Sequence, residues 1–302
     1  KLVICGISAG FAPVFGPPIA GAIFGVEVLF VGAILYDVLL PSFIAGIVSY
    51  HVSASLGITY FHHPVVLAPA FSEWFFIKVV LAGIFFGFCS LILIEILRFG
   101  DSLSKKLRIW APLKGLVGGV VLLALTFMFS KQYLGLGLDT IEHSLNGVKT
   151  AWYAFPLKSI FTAITLGFGG SGGIVTPIFF VGSSAGTLFA SFTGLDIATF
   201  AAIGLVSVLA GAANTPIAAS IMAMELFGTG IAPYATVACV VSFLMTGHRS
   251  VYPSQILSMR KSSSINVETG KTMENVLAEA NPRQKSLTST ILKMIRIFRK
   301  VK

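Results

Sequence analysis

The sequence predicts an all-α polytopic membrane protein of broken, tilted helices, built as two inverted repeats of which the first is incomplete. Three observations predict it. The 302 residues are 55% hydrophobic and only 11% charged, with a mean hydropathy of +0.90, whereas a soluble domain carries charge on about a quarter of its residues. The apolar stretches are short and interrupted by some of the 31 glycines and 13 prolines. That is the pattern of transport proteins whose half-helices meet near the bilayer midplane. Finally, one apolar segment that starts at a proline and ends near a glutamate occurs twice, from Pro18 and from Pro216.

Apolar segments run over 3–30, 31–50, 74–98, 112–130, 155–168, 174–192, 197–213, 216–227 and 231–246. A full crossing needs about 20 apolar residues at 1.5 Å each, so several of these are too short to span. The predicted division is a membrane domain over 1–257 and a basic tail over 258–302. The chain opens at Lys1 inside an apolar segment, so further helices are expected upstream. Of the net charge of +9, most lies after Ser258, where Arg260, Lys261, Lys271, Arg283 and Lys285 begin a run of cations. Lys and Arg beside a membrane domain mark the cytoplasmic side, which predicts a multi-pass protein of the cell membrane with its C-terminus inside. This placement argues against nucleic acid as a partner. Residues 285–302 have the spacing of an amphipathic helix suited to an anionic lipid surface, or of a solvated tail.

The two copies of the repeat align without a gap. Pro18 falls on Pro216, Ile19 on Ile217, Ala20 on Ala218, Ile23 on Ile221 and Glu27 on Glu225. Proline is tolerated in a helix's first turn, where its missing N–H is not needed. Each copy therefore reads as loop, helix start, apolar helix, glutamate. A glutamate within a membrane segment marks function by default. Because both copies carry one at the same place, a structural role for Glu27 and Glu225 is expected, at helix ends or on backbone groups.

The sharpest local pattern is Gly167–Pro177 (GFGGSGGIVTP), followed by an apolar run. Glycines let successive N–H groups face one point, and the helix that follows places its positive dipole end there. Such neutral donors replace an anion's water without holding it too tightly to leave. No charged residue occurs between Lys158 and Asp196, which suits a conducting site.

At these residues a family resemblance emerges. Gly172–Pro177 resembles the Gly-x-Phe-x-Pro motif of CLC chloride channels and transporters, with Gly173 and Pro177 in register. Ala210–Ala218 through Glu225 resembles a later CLC segment, and Phe15–Gly21 through Glu27 its first-half partner. Gly247–Gln255 (GHRSVYPSQ) is similar to the segment with the pore tyrosine. The resemblance covers most of residues 1–260. It implies a central anion held by the backbone N–H groups of Ile174 and Val175 and by the Tyr252 hydroxyl, with no cofactor or metal. It also implies a homodimer with one pore per subunit, joined through the repeat helices, whose small residues (Gly21, Ala22, Ala218, Ala219, Ser220) allow close packing. Two positions depart from the pattern. Val175 stands where phenylalanine is usual. Val28 stands where proton-coupled members often carry a second glutamate, and valine cannot relay a proton. A passive chloride channel is therefore expected, with proton-coupled exchange of chloride or fluoride as the alternative. The family's other two pore loops, including the gating glutamate, are expected upstream of Lys1.

Other readings compete less well. Gly169–Gly172 (GGSG) fits the Gly-x-Ser-Gly of rhomboid-like proteases, with Ser171 as nucleophile and His248 as the only downstream base. That reading explains neither the repeat nor Tyr252, and an enzyme is not expected. His62 and His63 lack a cysteine or carboxylate at metal-ligand spacing. Cys5, Cys89 and Cys239 lie far apart in apolar runs and read as packing residues.

Overall fold

A computed structural model describes residues 1–58, 72–261, 265–276 and 281–282. Eleven α-helices dominate the described residues. The first apolar run divides into α1 (Leu2–Phe15) and α2 (Pro18–Glu27). Gly16 ends α1 in the left-handed region (φ 94°), which a glycine enters without strain, and Pro18 opens α2. Strand β1 (Phe30–Val31) and a 3-10 turn follow, so α3 (Leu39–Ser55) begins eight residues later than the hydropathy suggests.

Helix α4 (Glu73–Lys106) has 34 residues, a length of roughly 50 Å. Its last turn, with Lys105 and Lys106, carries the cations favoured at a helix C-terminus. Helix α5 (Ala111–Met128) exposes Leu116, Val120, Leu123 and Phe127, an apolar surface. Helix α6 (Leu138–Leu145) is short and amphipathic, and its length and polarity hide it from a hydropathy reading. The remainder are α7 (Ala154–Gly167), α8 (Val175–Thr193), α9 (Ile197–Ala213), α10 (Pro216–Phe227) and α11 (Ala232–Met245). Among the described residues, four segments are long and apolar enough to cross a membrane: Tyr36–Ser55, α4, α5 and α8, and six further apolar helices are shorter, as broken helices should be.

The repeat is visible in three dimensions. Helix α1 packs on α2 and α3, as α9 packs on α10 and α11. The counterpart of Gly16 is Asn214, which ends α9 in the same left-handed region (φ 60°). The densest crossing is α8 on α9, where backbones meet at glycines. A Cβ on Gly182 would stand 2.5 Å from Gly204 O. Nearly all of α9 is buried, including Phe200, Ile203 and Leu209.

After α11 the chain turns back across one face of the bundle. Strand β2 (Ile256–Leu257) pairs in parallel with β1, Phe30 opposite Ile256 and Val31 opposite Leu257. Val31, Leu257, Val267 and Met273 form a small second core. Part of the predicted polar tail is thus folded against the helices. The amphipathic stretch 285–302 and the His62–His63 pair lie outside the described residues.

Candidate functional site

Glu27 and Glu225 each reach across to the opposite repeat. Glu27 Oε1 and Oε2 accept from the N–H groups of Ile217 (3.0 Å) and Ala218 (2.8 Å). Glu225 Oε1 and Oε2 accept from Ile19 (3.0 Å) and Ala20 (2.7 Å). Each carboxylate at one helix's C-terminal end therefore satisfies the unpaired N–H groups that open the other, so α2 and α10 run antiparallel. Val28 follows Glu27 as the residue that ends α2, with its side chain in the core and its carbonyl accepting from Gln255 Nε2 (2.6 Å).

The glycine-rich loop joins α7 to α8. Gly169 is left-handed (φ 94°), and its neighbour Gly170 donates back to Thr165 O (2.8 Å). Gly172 and Gly173 are exposed, while Ile174 and Val175 are half-buried. Helix α8 begins at Val175 with Ile174 flanking it, so Pro177 sits third in the helix rather than at its start. Ile178 N makes a helical bond back to Ile174 O (3.1 Å). The N–H groups of Ile174, Val175 and Thr176 come before it, in the part of a helix that lacks internal acceptors. They are the donors that a helix N-terminus offers to an anion. No charged side chain belongs to this loop.

Tyr252 lies on a turn anchored to α9. Val251 N donates to Ala212 O (3.0 Å), and Tyr252 N to Ser250 Oγ (3.0 Å). Ile174, Val175 and Tyr252 all pack, half-buried, against the main core. Ile174 also shares a cleft of about 600 Å³ with Val251 and Pro253, the two neighbours of Tyr252. The structure thus brings Ile174, which flanks α8, and the two neighbours of Tyr252 to one cleft, whose lining includes neither Val175 nor the Tyr252 side chain. The cleft also has a wall of charged residues: Arg98, Asp101 and Lys105 come from α4, Arg249 from the turn and Glu274 from the strap of chain that follows β2. Glu95 holds Arg249 (2.7 Å) and, more loosely, Arg98 (3.8 Å), while Lys105 pairs with Asp101 (2.7 Å). Sequence reading missed this wall, because its residues are separated by about 150 positions and no local motif joins them.

His248 also borders the cleft. Burial, helped by the nearby charges of Lys261 and Arg260, holds its imidazole below its ordinary value. Its Nε2 accepts the Lys261 N–H (3.2 Å). Its acceptor nitrogen is engaged in this way, and among the described residues no hydrogen bond joins His248 to Ser171, so the nucleophile–base pair a serine protease needs is not formed. Burial also holds the Lys261 amine well below its ordinary value. It donates to Phe243 O (2.9 Å) and stands 3.9 Å from the Phe243 ring centre.

Comparisons with known proteins bear on the family and the fold. The sequence profile of the family described as "Voltage gated chloride channel" matches residues 1–247. A "Chloride/fluoride channel protein" of Pseudomonas syringae pv. tomato is 38% identical over 261 residues, covering 84% of this chain and 58% of that protein. "Voltage-gated ClC-type chloride channel ClcB" of Shigella flexneri is 27% identical over 274 residues, covering 83% and 63%. Among solved structures, a "CLC-type fluoride/proton antiporter" superposes with a TM-score of 0.81 at 30% identity, covering 84% of this chain and 65% of that one. A "slow cyanobacterial Cl-/H+ antiporter" shares the fold, with a TM-score of 0.66 at 20% identity, covering 81% and 60%. The chain spans less than two thirds of the length of each of these proteins. With its paired repeats, its glycine-opened helix and a profile match over most of its length, the chain belongs to the voltage-gated chloride channel (CLC) family of membrane channels and transporters.

Proposed function

We propose that the chain forms part of an anion pathway that carries chloride or fluoride across the membrane, with the central ion held by the N–H groups of Ile174 and Val175 and the Tyr252 hydroxyl. The observation that carries this reading is the shared cleft. Ile174, at the uncharged, donor-rich start of α8, and the neighbours of Tyr252 border one space that is also lined by Arg98, Lys105 and Arg249. Cations at the rim raise the local anion concentration. Neutral amides deeper in take over the ion's hydration without trapping it.

Two modes of transport divide on specific observations. Val28 at the position of the second glutamate supports passive conduction of chloride. The resemblance to a fluoride/proton antiporter, together with a chloride/fluoride relative at 38% identity, supports coupled fluoride exchange. The strap face, with its excess of Lys and Arg, is assigned to the cytoplasm. The protein is a homodimer in this reading, joined through α2, α3, α10 and α11. Ile19 and Ile217 hold equivalent places in the two repeats, and both are exposed, at 41% and 45%, beside Ile44 and Val48 of α3.

The test is flux by the intact protein in liposomes under chloride and then fluoride gradients, with internal pH followed throughout. Anion movement without proton movement establishes the channel. Movement in fixed proportion to protons establishes the exchanger. Absence of both fluxes removes the anion-pathway reading.

A further inference from the structure

The turn that carries Tyr252 is fastened at one point to both repeats. Gln255, 1% exposed, uses its whole amide there. Its Nε2 donates to Val28 O (2.6 Å) and Ala213 O (2.9 Å), and its Oε1 accepts from Asn214 Nδ2 (2.8 Å). Asn214 Nδ2 also donates to Arg249 O (2.9 Å). Val28 ends α2, and Ala213 is the last residue of α9. A single side chain therefore ties the tyrosine turn to the C-terminal end of α2 in the first repeat and of α9 in the second, while Asn214 grips the turn at its other end.

The repeat shows what this arrangement adds. Asn214 corresponds to Gly16, and both end their helices in the left-handed region. Helix termination there needs only a residue that accepts positive φ, and glycine does so most easily. Among the described residues Asn214 is the one non-glycine with positive φ. The first repeat uses the unstrained residue; the second uses asparagine, whose Nδ2 is spent on Arg249 and Gln255, the two flanks of the Tyr252 turn, while its Oδ1 is buried without a partner. The two repeats thus differ where only the second has a turn to hold.

We propose that Asn214 and Gln255 are positioning residues for the Tyr252 hydroxyl, setting it relative to the opening of α8 from the junction of the two repeats. The proposal rests on the anion-site reading of Tyr252 given above. Replacing Gln255 leaves two buried carbonyls without donors and endangers the fold, so the informative variant is Asn214→Gly. Glycine keeps the left-handed backbone and deletes only the amide.

The experiment is a double-mutant cycle in liposomes with the intact protein, N214G, Y252F and the double variant. Half-saturating chloride and fluoride concentrations and maximal rates are measured, with a thermal midpoint for each protein. N214G is expected to raise the half-saturating concentration about tenfold, the size of two modest hydrogen bonds, with the maximal rate little changed. In the Y252F background it should add nothing. An equal shift in both backgrounds shows a merely structural role and overturns the proposal. So does an unshifted N214G beside a shifted Y252F; both outcomes leave the Tyr252 reading intact. If Y252F itself shifts nothing, that reading falls and the proposal falls with it.

Discussion

A carboxylate withdrawn from water is stable only when its oxygens meet donors, and at Glu27 and Glu225 every donor is a main-chain N–H at the start of a partner helix. Glutamine at either position offers one oxygen to two N–H groups and turns its own NH2 toward the second. Glu27→Gln is therefore expected to destabilise the intact protein by about 1–3 kcal/mol, read as a lowered thermal midpoint in detergent. Glu225→Gln should act in the same direction but less, because its bond to Ile19 lies at an exposed position. Unchanged midpoints in both variants would mean that the reciprocal capping contributes nothing. The pairing was legible in outline, since two glutamates at matched places in a repeat point to a shared structural duty. That each one caps the opposite copy was not legible, because the partners lie 190 and more residues away. Gln255 and Asn214 were invisible for the same reason: an amide's value depends on which carbonyls the fold delivers to it.

Helix limits followed from the sequence where punctuation is strong. Asp196 caps α9 by accepting from Thr199 N (2.7 Å), and Pro216 opens α10, so both helices fall on the segments that hydropathy marks. Pro18 likewise opens α2 where the repeat placed a helix start, with Gly16 at positive φ before it, although hydropathy alone runs unbroken over 3–30. Where punctuation is weak, the reading fell short: α4 continues past residue 98 because its last turns are polar yet still helical. Glycine composition signalled close packing without saying which helices touch. The structure assigns it to α8 and α9, where Gly182, Gly186 and Gly204 admit no side chain. Alanine at Gly182 would drive its Cβ to 2.5 Å from Gly204 O, with no flexible atom to yield. Overpacking of this kind costs about 1–3 kcal/mol or more. Gly182→Ala should therefore lower the yield of folded protein on size exclusion, whereas Gly119→Ala on α5, with nothing within 4 Å, should not.

At the scale of the whole molecule, the cleft gathers its charges from α4, the tyrosine turn and the strap. Glu274 opposes Arg98, Lys105 and Arg249 at its rim. Glu274→Gln should raise anion flux by about threefold near 10 mM salt, where the screening length is about 30 Å, and leave it unchanged near 1 M, where it is about 3 Å. A change that persists at high salt would point to a local packing effect instead. The strap's place at this rim had no sequence signal, because its two-residue pairing with β1 is too short to read as a strand. The reciprocal capping also carries a consequence for biosynthesis. Ile217 and Ala218 leave the ribosome about 190 residues after Glu27, a delay of roughly 10–40 s at ordinary elongation rates. Throughout that interval the newly inserted first repeat holds an acidic group with its eventual donors still untranslated, so its final docking waits for the second repeat to arrive.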